Sequence, residues 1–260
     1  MNLEPLLDLT IELAEDAGKL LLGRFGEEVG GISTKASPTD VVSDADRESE
    51  SLIVDKLQTS RPNDGILAEE GDDRPSKSGV SWIVDPLDGT VNYLFGIPLW
   101  AVSIASVDAE GTAVAVVHDP NQQETFSAAR GGGCRLNHRR VSVSETADLS
   151  RALIGTGFAY EAKARKAQAR RLPVMLPLVR DIRRAGSAAL DLSWLACGRL
   201  DGFFEAPMKK WDRAAGELLV KEAGGVVRDL APPYGDDTGV IAANPNLFDR
   251  LRQLVTDSAG

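Results

Sequence analysis

The sequence predicts a layered α/β protein of the α+β kind, with an antiparallel meander sheet and a second, smaller sheet. Three observations predict it. Residues 3 to 25 place Leu6, Leu9, Leu13, Ala17, Leu20 and Leu21 on one helical face, the period of an amphipathic core helix. Trp100 to Val107, Thr112 to His118 and Glu124 to Ala128 are short apolar-rich runs joined by brief turns, as adjacent antiparallel strands require. From Ala152 onward strand-like and helix-like runs alternate. With 260 residues and 43% hydrophobic content, the chain suits one large core or two small ones. We expect two halves, 1–145 and 146–260, in one compact unit.

The elements follow in order. Gly23 and Gly26 end the first helix, and the Gly/Ser/Thr-rich stretch 30–40 reads as a loop or loose hairpin carrying Lys35, which reaches either a phosphate or solvent. Ser43 to Leu57 forms a second helix with Ala45, Leu52, Ile53 and Leu57 inward, and Ser43 with Asp46 has capping-box spacing. Asp46 serves the helix start or a metal. Ile66 to Ala68 is a short strand ending in Glu69-Glu70, and Asp72 to Gly79 is a polar loop. Ser81 to Val84 is a buried strand, after which Pro86 and Gly89 predict a tight turn holding Asp85 and Asp88 on one side. Arg130-Gly131-Gly132-Gly133 reads as a hairpin turn, because no Gly-Lys-Ser or helix follows it as in a phosphate loop.

In the second half, Ala152 to Gly157 is a strand, and an Arg-rich helical stretch with a solvated face runs from Glu161 until Pro173 and Pro177 interrupt it. Ser187 caps a helix that buries Leu190, Leu192, Leu195 and Ala196 and closes at Gly198. Leu200 to Glu205 returns as a strand. Trp211-Asp212 opens a helix ended by Gly224-Gly225; short strands at 225–228 and 240–243 follow, and Asn244-Pro245 caps a last helix.

Asp85 and Asp88 are the chemical centre of this reading. Paired carboxylates are the hard oxygen ligands that Mg²⁺ or Ca²⁺ prefers, Gly89 lets a ligand approach the backbone, and a helix starting at Thr90 would offer free N–H groups to a phosphate. That combination points to phosphoryl chemistry; a plain Asp-Gly turn is the competing reading. A net charge of −10 disfavours nucleic-acid and anionic-membrane surfaces, leaving a small molecule as partner. Cys134 and Cys197 lack metal-type spacing and are expected as reduced thiols, and His118 and His138 lack ligand companions and are expected to be structural. The N-terminus carries acids where an export signal is basic, and no apolar run reaches the ~20 residues of a membrane span, so we expect a cytoplasmic protein.

Asp46, Glu69, Asp85, Asp88 and Asp212 all fall at element ends. With A-E-E-G at 68–71, W-I-V-D-P-L-D-G-T-V-N-Y at 82–93, R-R-A-G-S-A-A-L-D-L at 183–192 and W-D-R-A-A-G at 211–216, they resemble the inositol monophosphatase family of Mg²⁺-dependent, lithium-sensitive phosphatases over nearly the whole chain. The resemblance implies an alternating α-β-α-β-α sandwich of the sugar phosphatase type, usually a homodimer. It implies one Mg²⁺ on Glu69, Asp85 and the Leu87 carbonyl, a second on Asp85, Asp88 and Asp212, and a weaker third on Glu69 and water. Thr90 and Glu69, with Asp46 behind, would orient the attacking water, and the Gly89 and Thr90 N–H groups would hold phosphate oxygens. Glu205, Gly186, Ser187 and Ala188 would face the alcohol, with Asp212 bordering it.

Lys209 and Lys210 stand where that pattern is more neutral, and point either to a second phosphate or to solvent. The expected substrate is myo-inositol 1-phosphate or a similar small alcohol phosphate. Histidinol phosphate, fructose 1,6-bisphosphate and 3′-phosphoadenosine 5′-phosphate are the alternatives on the same scaffold. A non-catalytic role as a protein partner in transcription complexes is also known among relatives; the intact acids argue for an enzyme.

Overall fold

Strands buried on both faces build the centre of the molecule. In the computed structural model, which describes residues 2–26, 33–34, 41–71, 73–231 and 238–258, Val114 and Val116 face one side of a sheet while Ala115 and Val117 face the other. Lys35 lies outside the described residues. The first half contains α1 (Glu4–Arg24), β1 (Ser33–Thr34), β2 (Val41–Val42), α2 (Asp44–Ser60), β3 (Gly65–Ala68), β4 (Ser81–Asp88), α3 (Thr90–Leu94), β5 (Ala101–Asp108), β6 (Gly111–Asp119), β7 (Glu124–Ala129), β8 (Gly133–Leu136) and β9 (Arg139–Arg140). The second contains β10 (Leu153–Thr156), α4 (Ala162–Ala169), α5 (Leu172–Met175), β11 (Asp181–Arg183), α6 (Ala188–Ala196), β12 (Gly202–Glu205), α7 (Lys210–Glu222), β13 (Val226–Leu230), β14 (Gly239–Ala243) and α8 (Phe248–Asp257).

Strands β3 to β9 form one seven-stranded sheet in chain order, antiparallel except for the parallel β3–β4 pair. The second sheet runs β11-β10-β12-β14-β13, with β10 parallel to both its neighbours. Three apolar clusters stack these sheets with helices. Leu13, Leu21, Ile53 and Leu57 of α1 and α2 cover Trp82, Val84 and Ile104 on the outer face of the larger sheet. Its inner face, Ala105, Val117 and Phe126, packs with Leu190 and Leu195 of α6 and Leu218 and Leu219 of α7 against Phe203 and Ala242 of the second sheet. Ile154, Phe204 and Ile241 then meet Leu251 and Val255 of α8. The order is helix, sheet, helix, sheet, helix, as the resemblance implied.

The Arg-rich stretch differs from its expected solvated face: Arg171 is buried, at 6% exposure, where the chain passes from α4 to α5. Pro173 sits in the first turn of α5, where its missing N–H costs nothing. Among the described residues no helix is long and apolar enough to cross a membrane.

Candidate active site

The site is built on an irregularity in β4. Residues three apart on a regular strand point to opposite faces. Here Asp85 pairs with Ser103 and Asp88 with Ala101, so three steps of β4 oppose two of β5. The extra residue is a bulge, and it turns both carboxylates into one cavity. The tight turn expected after Val84 is thus a bulged continuation of the strand. Pro86 has no N–H for the ladder, the Leu87 N–H donates to Asp85 Oδ1 at 3.1 Å, and Ser49 of α2 donates to the Pro86 carbonyl at 2.9 Å. Gly89 follows with φ 99°, and a Cβ there would lie 3.0 Å from the Leu99 carbonyl oxygen. Only glycine fits this turn into α3 without strain.

The cavity has a volume of about 300 Å³. One wall is Glu69, Asp85, Leu87, Asp88, Gly89 and Thr90; the start of α6 contributes Gly186, Ser187 and Ala188; Glu205, Lys209 and Asp212 close the far side. Asp46 stands behind this wall. Its Oδ2 accepts from the Ser43 N–H at 2.9 Å and the Ser43 hydroxyl at 2.5 Å, while its Oδ1 accepts from the Thr90 hydroxyl at 2.9 Å. The helix-start reading of Asp46 is thus met, and the same carboxylate also holds the Thr90 hydroxyl. Asp88 Oδ2 is gripped from the other half of the chain by the Ser187 hydroxyl at 2.5 Å and the Ala189 N–H at 2.7 Å. Asp212 Oδ2 accepts the Lys209 N–H at 2.7 Å; lysine has no acceptor to return, so only one arm of a capping box forms. Lys209 lines the cavity with an exposed side chain, and exposed Lys210 is outside its lining.

Burial and mutual repulsion dominate the electrostatics. Asp85 is pushed well above the usual carboxylate range by burial and then by Glu69, Asp88 and Asp212, and its carboxyl is within hydrogen-bonding reach of Glu69. Asp212 is raised by burial and then by Glu69. Asp88 is raised by burial, against the Ser187 and Ala189 hydrogen bonds that favour its charge. Glu205 is pushed up to about 7 by burial, opposed by Arg184. Buried like charges of this kind are stabilised by a cation. Among the described residues no three acid, His or Cys side chains form a group already arranged to hold one ion. What fits Mg²⁺ is the donor chemistry, several buried carboxylates and the Leu87 carbonyl around one cavity.

A pH dependence follows from these shifts. A carboxyl whose pKa is raised by folding binds its proton more tightly in the native state, so stability falls as pH rises from the unfolded pKa to the folded one. For Glu205 that window runs from 4.5 to about 7, worth roughly 3 kcal/mol. In chelator, the thermal midpoint is expected to drop by roughly 5–10 °C between pH 5 and pH 8. Mg²⁺ is expected to raise it more at pH 8 than at pH 5. Scanning calorimetry showing a flat profile and a pH-independent Mg²⁺ effect would contradict this.

The cavity lining includes Arg184, Asp191, Phe158 and Tyr160, which local sequence patterns did not indicate. Arg184 and Asp191 lie inside a motif whose spacing read as a helix start, and Asp191 is buried with no hydrogen-bond partner for Oδ1 among the described residues. Phe158 and Tyr160 sit in a loop without any periodic signal. The two histidines line a separate cleft of about 340 Å³ with residues of α1. His118 Nδ1 lies 3.0 Å from the Thr125 hydroxyl, and burial pushes its pKa down. The Arg130–Gly133 turn does hold an anion, the chain's own Glu222: the Gly131 and Gly133 N–H groups each donate to its carboxylate at 2.8 Å. Cys134 and Cys197 are free thiols.

Two stacked sheets with an acid-lined cavity at a strand bulge and two helix starts define a layered α/β protein of the sugar phosphatase type. The chain belongs to the inositol monophosphatase family, whose profile matches residues 2–259. It is 40% identical over 264 residues to the Nus factor SuhB of Xylella fastidiosa, covering 98% of this chain and 96% of that protein. It is 42% identical over 241 residues to the inositol-1-monophosphatase SuhB of Mycobacterium tuberculosis, covering 88% of this chain and 83% of that protein. Among solved structures, the extragenic suppressor protein suhB of Bartonella henselae superposes with a TM-score of 0.90 at 37% identity, covering 96% and 98% of the two chains. The Thermotoga maritima IMPase gives 0.88 at 34% identity, covering 98% and 99%. Membership supports a phosphatase.

Proposed function

We propose that this chain is a Mg²⁺-dependent phosphomonoesterase that hydrolyses myo-inositol 1-phosphate or a similar small alcohol phosphate. The observation that carries this reading is the β4 bulge, which delivers Asp85 and Asp88 to the same cavity as Glu69 and Asp212. These residues and the Leu87 carbonyl would hold two or three ions. When bound, Mg²⁺ supplies positive charge against the phosphate oxygens and makes water more acidic. The protein's own groups do the positioning. The Thr90 hydroxyl donates to Asp46, which leaves its oxygen to accept a hydrogen from the attacking water, and Glu69 flanks it. Gly89 and Thr90 N–H groups orient the phosphate at the start of α3. The water oxygen attacks phosphorus, the bond from phosphorus to the alcohol oxygen breaks in line, and the leaving oxygen takes a proton from water.

The alcohol end contains Glu205, Asp191 and Arg184, with Ser187 and Ala188 beside them. Two acids there favour hydroxyl groups over a second phosphate, and Lys209 lines the cavity as an exposed residue. The deciding experiment measures phosphate release with Mg²⁺ from myo-inositol 1-phosphate, histidinol phosphate, fructose 1,6-bisphosphate and 3′-phosphoadenosine 5′-phosphate, each with and without Li⁺. A dominant, lithium-inhibited inositol phosphate activity is expected. A dominant bisphosphate activity would reassign the pocket. No Mg²⁺-dependent release from any ester would favour the second reading, a binding role like that in the name of the Xylella fastidiosa relative.

The same reading includes a homodimer in the cytoplasm. Phe95 and Ile97 beyond α3, and Leu176 and Leu178 before the edge strand β11, expose 79%, 43%, 48% and 49% of their surface. The Asn92 side chain of α3 donates to the Ala185 carbonyl, just beyond β11, at 2.9 Å. Exposed apolar groups of this kind are covered at subunit contacts. Light scattering is expected to return twice the chain mass, and a monomer at micromolar concentration would remove the claim.

A further inference from the structure

Among the described residues three aromatic side chains line the cavity, and the chemistry above uses none of them: Phe158, Tyr160 and Trp211. Tyr160 is the most exposed of the three, at 47%. A half-exposed aromatic residue lining a cavity offers apolar area for a ligand to cover. Its hydroxyl end faces inward: burial and then Asp88 push the phenol pKa up, Arg184 opposes them, and Asp212 and Glu69 add to the rise. Tyr160 is thus a neutral wall beside the acids.

The loop that carries it is clamped. Gln168 of α4 is buried; its Oε1 accepts the Ala159 N–H at 3.0 Å, and its Nε2 donates to the Ala206 carbonyl at 2.7 Å. One side chain therefore joins the Tyr160 loop to the end of β12, where Glu205 sits. Gly157 completes the seat, because a Cβ there would overlap the Glu205 carboxylate. The separation of ring and carboxylate is set by Gln168 and Gly157 together.

We propose that Tyr160 is a specificity-determining residue whose ring closes on the carbon face of a cyclic leaving alcohol, with Gln168 as the positioning residue that holds it opposite Glu205. The inference rests on the phosphatase reading above. Its test compares myo-inositol 1-phosphate with the acyclic ester glycerol 2-phosphate, using the full chain with Mg²⁺. Tyr160→Ala is expected to raise KM for the cyclic ester about tenfold, with kcat and the acyclic ester changed less than about twofold. Tyr160→Phe retains the ring and is expected to stay within about twofold of the parent on both esters. Gln168→Met is expected to move the cyclic KM in the same direction by about threefold while leaving the acyclic KM in place. Equal losses on both esters, or an unchanged cyclic KM in Tyr160→Ala, would overturn the proposal while leaving a working phosphatase. An unchanged cyclic KM in Gln168→Met would remove the positioning role, and a parent protein that cleaves neither ester would overturn the phosphatase reading itself.

Discussion

Asp88→Asn lowers turnover of the preferred ester by about 10²–10³-fold while the protein stays folded. The Ser187 hydroxyl and the Ala189 N–H both donate to Asp88 Oδ2, and an amide oxygen in the same place still accepts them. The α6 start therefore keeps its anchor. What disappears is one negative charge among Glu69, Asp85 and Asp212, and with it part of the attraction for a cation. Removing that charge also relieves repulsion, so the thermal midpoint in chelator should equal or exceed that of the parent. Steady-state turnover over a range of Mg²⁺ concentrations, paired with melting curves, checks both halves. Near-normal turnover at low Mg²⁺ would sink the metal assignment.

Thr90→Ala lowers kcat by about 100-fold with KM changed less than about threefold. The Thr90 hydroxyl is fixed by Asp46 Oδ1 at 2.9 Å, with the Leu87 carbonyl at 3.1 Å, so the lone pairs that would meet water are held in one direction. The phosphate contacts proposed above use backbone N–H groups and would survive the substitution. Thr90→Ser, which keeps the hydroxyl, should recover most of the rate. A change confined to KM would show that Thr90 binds the ester and does not orient the nucleophile.

Much of this site was legible along the chain. Glu69, Asp85, Asp88 and Asp212 fall where apolar runs stop or helices begin, so their placement at element ends follows from local patterns. The capping role of Asp46 was legible too, because Ser43 and Asp46 have the required spacing. The strands β5, β6 and β7 read clearly, since alternation with short turns leaves few other arrangements. Strands β8, β9 and β11 were missed, being short, partly exposed and polar, and held mainly by their neighbours.

Other features depended on contacts between distant segments. Pro86 and Gly89 read locally as a turn, but pairing with β5 made the segment a bulged strand, and sheet hydrogen bonds outweigh a local turn preference. The hold on Asp88 comes from residues about a hundred positions later, and the Gln168 clamp joins Ala159 to Ala206. Arg171 looked like a surface residue because its neighbours are charged, whereas it is buried where the chain passes from α4 to α5, beside Phe204 and Ala206 at the end of β12. By itself the sequence determined which residues are acidic, which faces are apolar and where helices start, since these depend on side-chain chemistry and near neighbours. Only the tertiary structure decided which carboxylates share a cavity, that their pKa values rise and which aromatic rings line it with them, because burial and repulsion depend on distances that the order of residues does not contain.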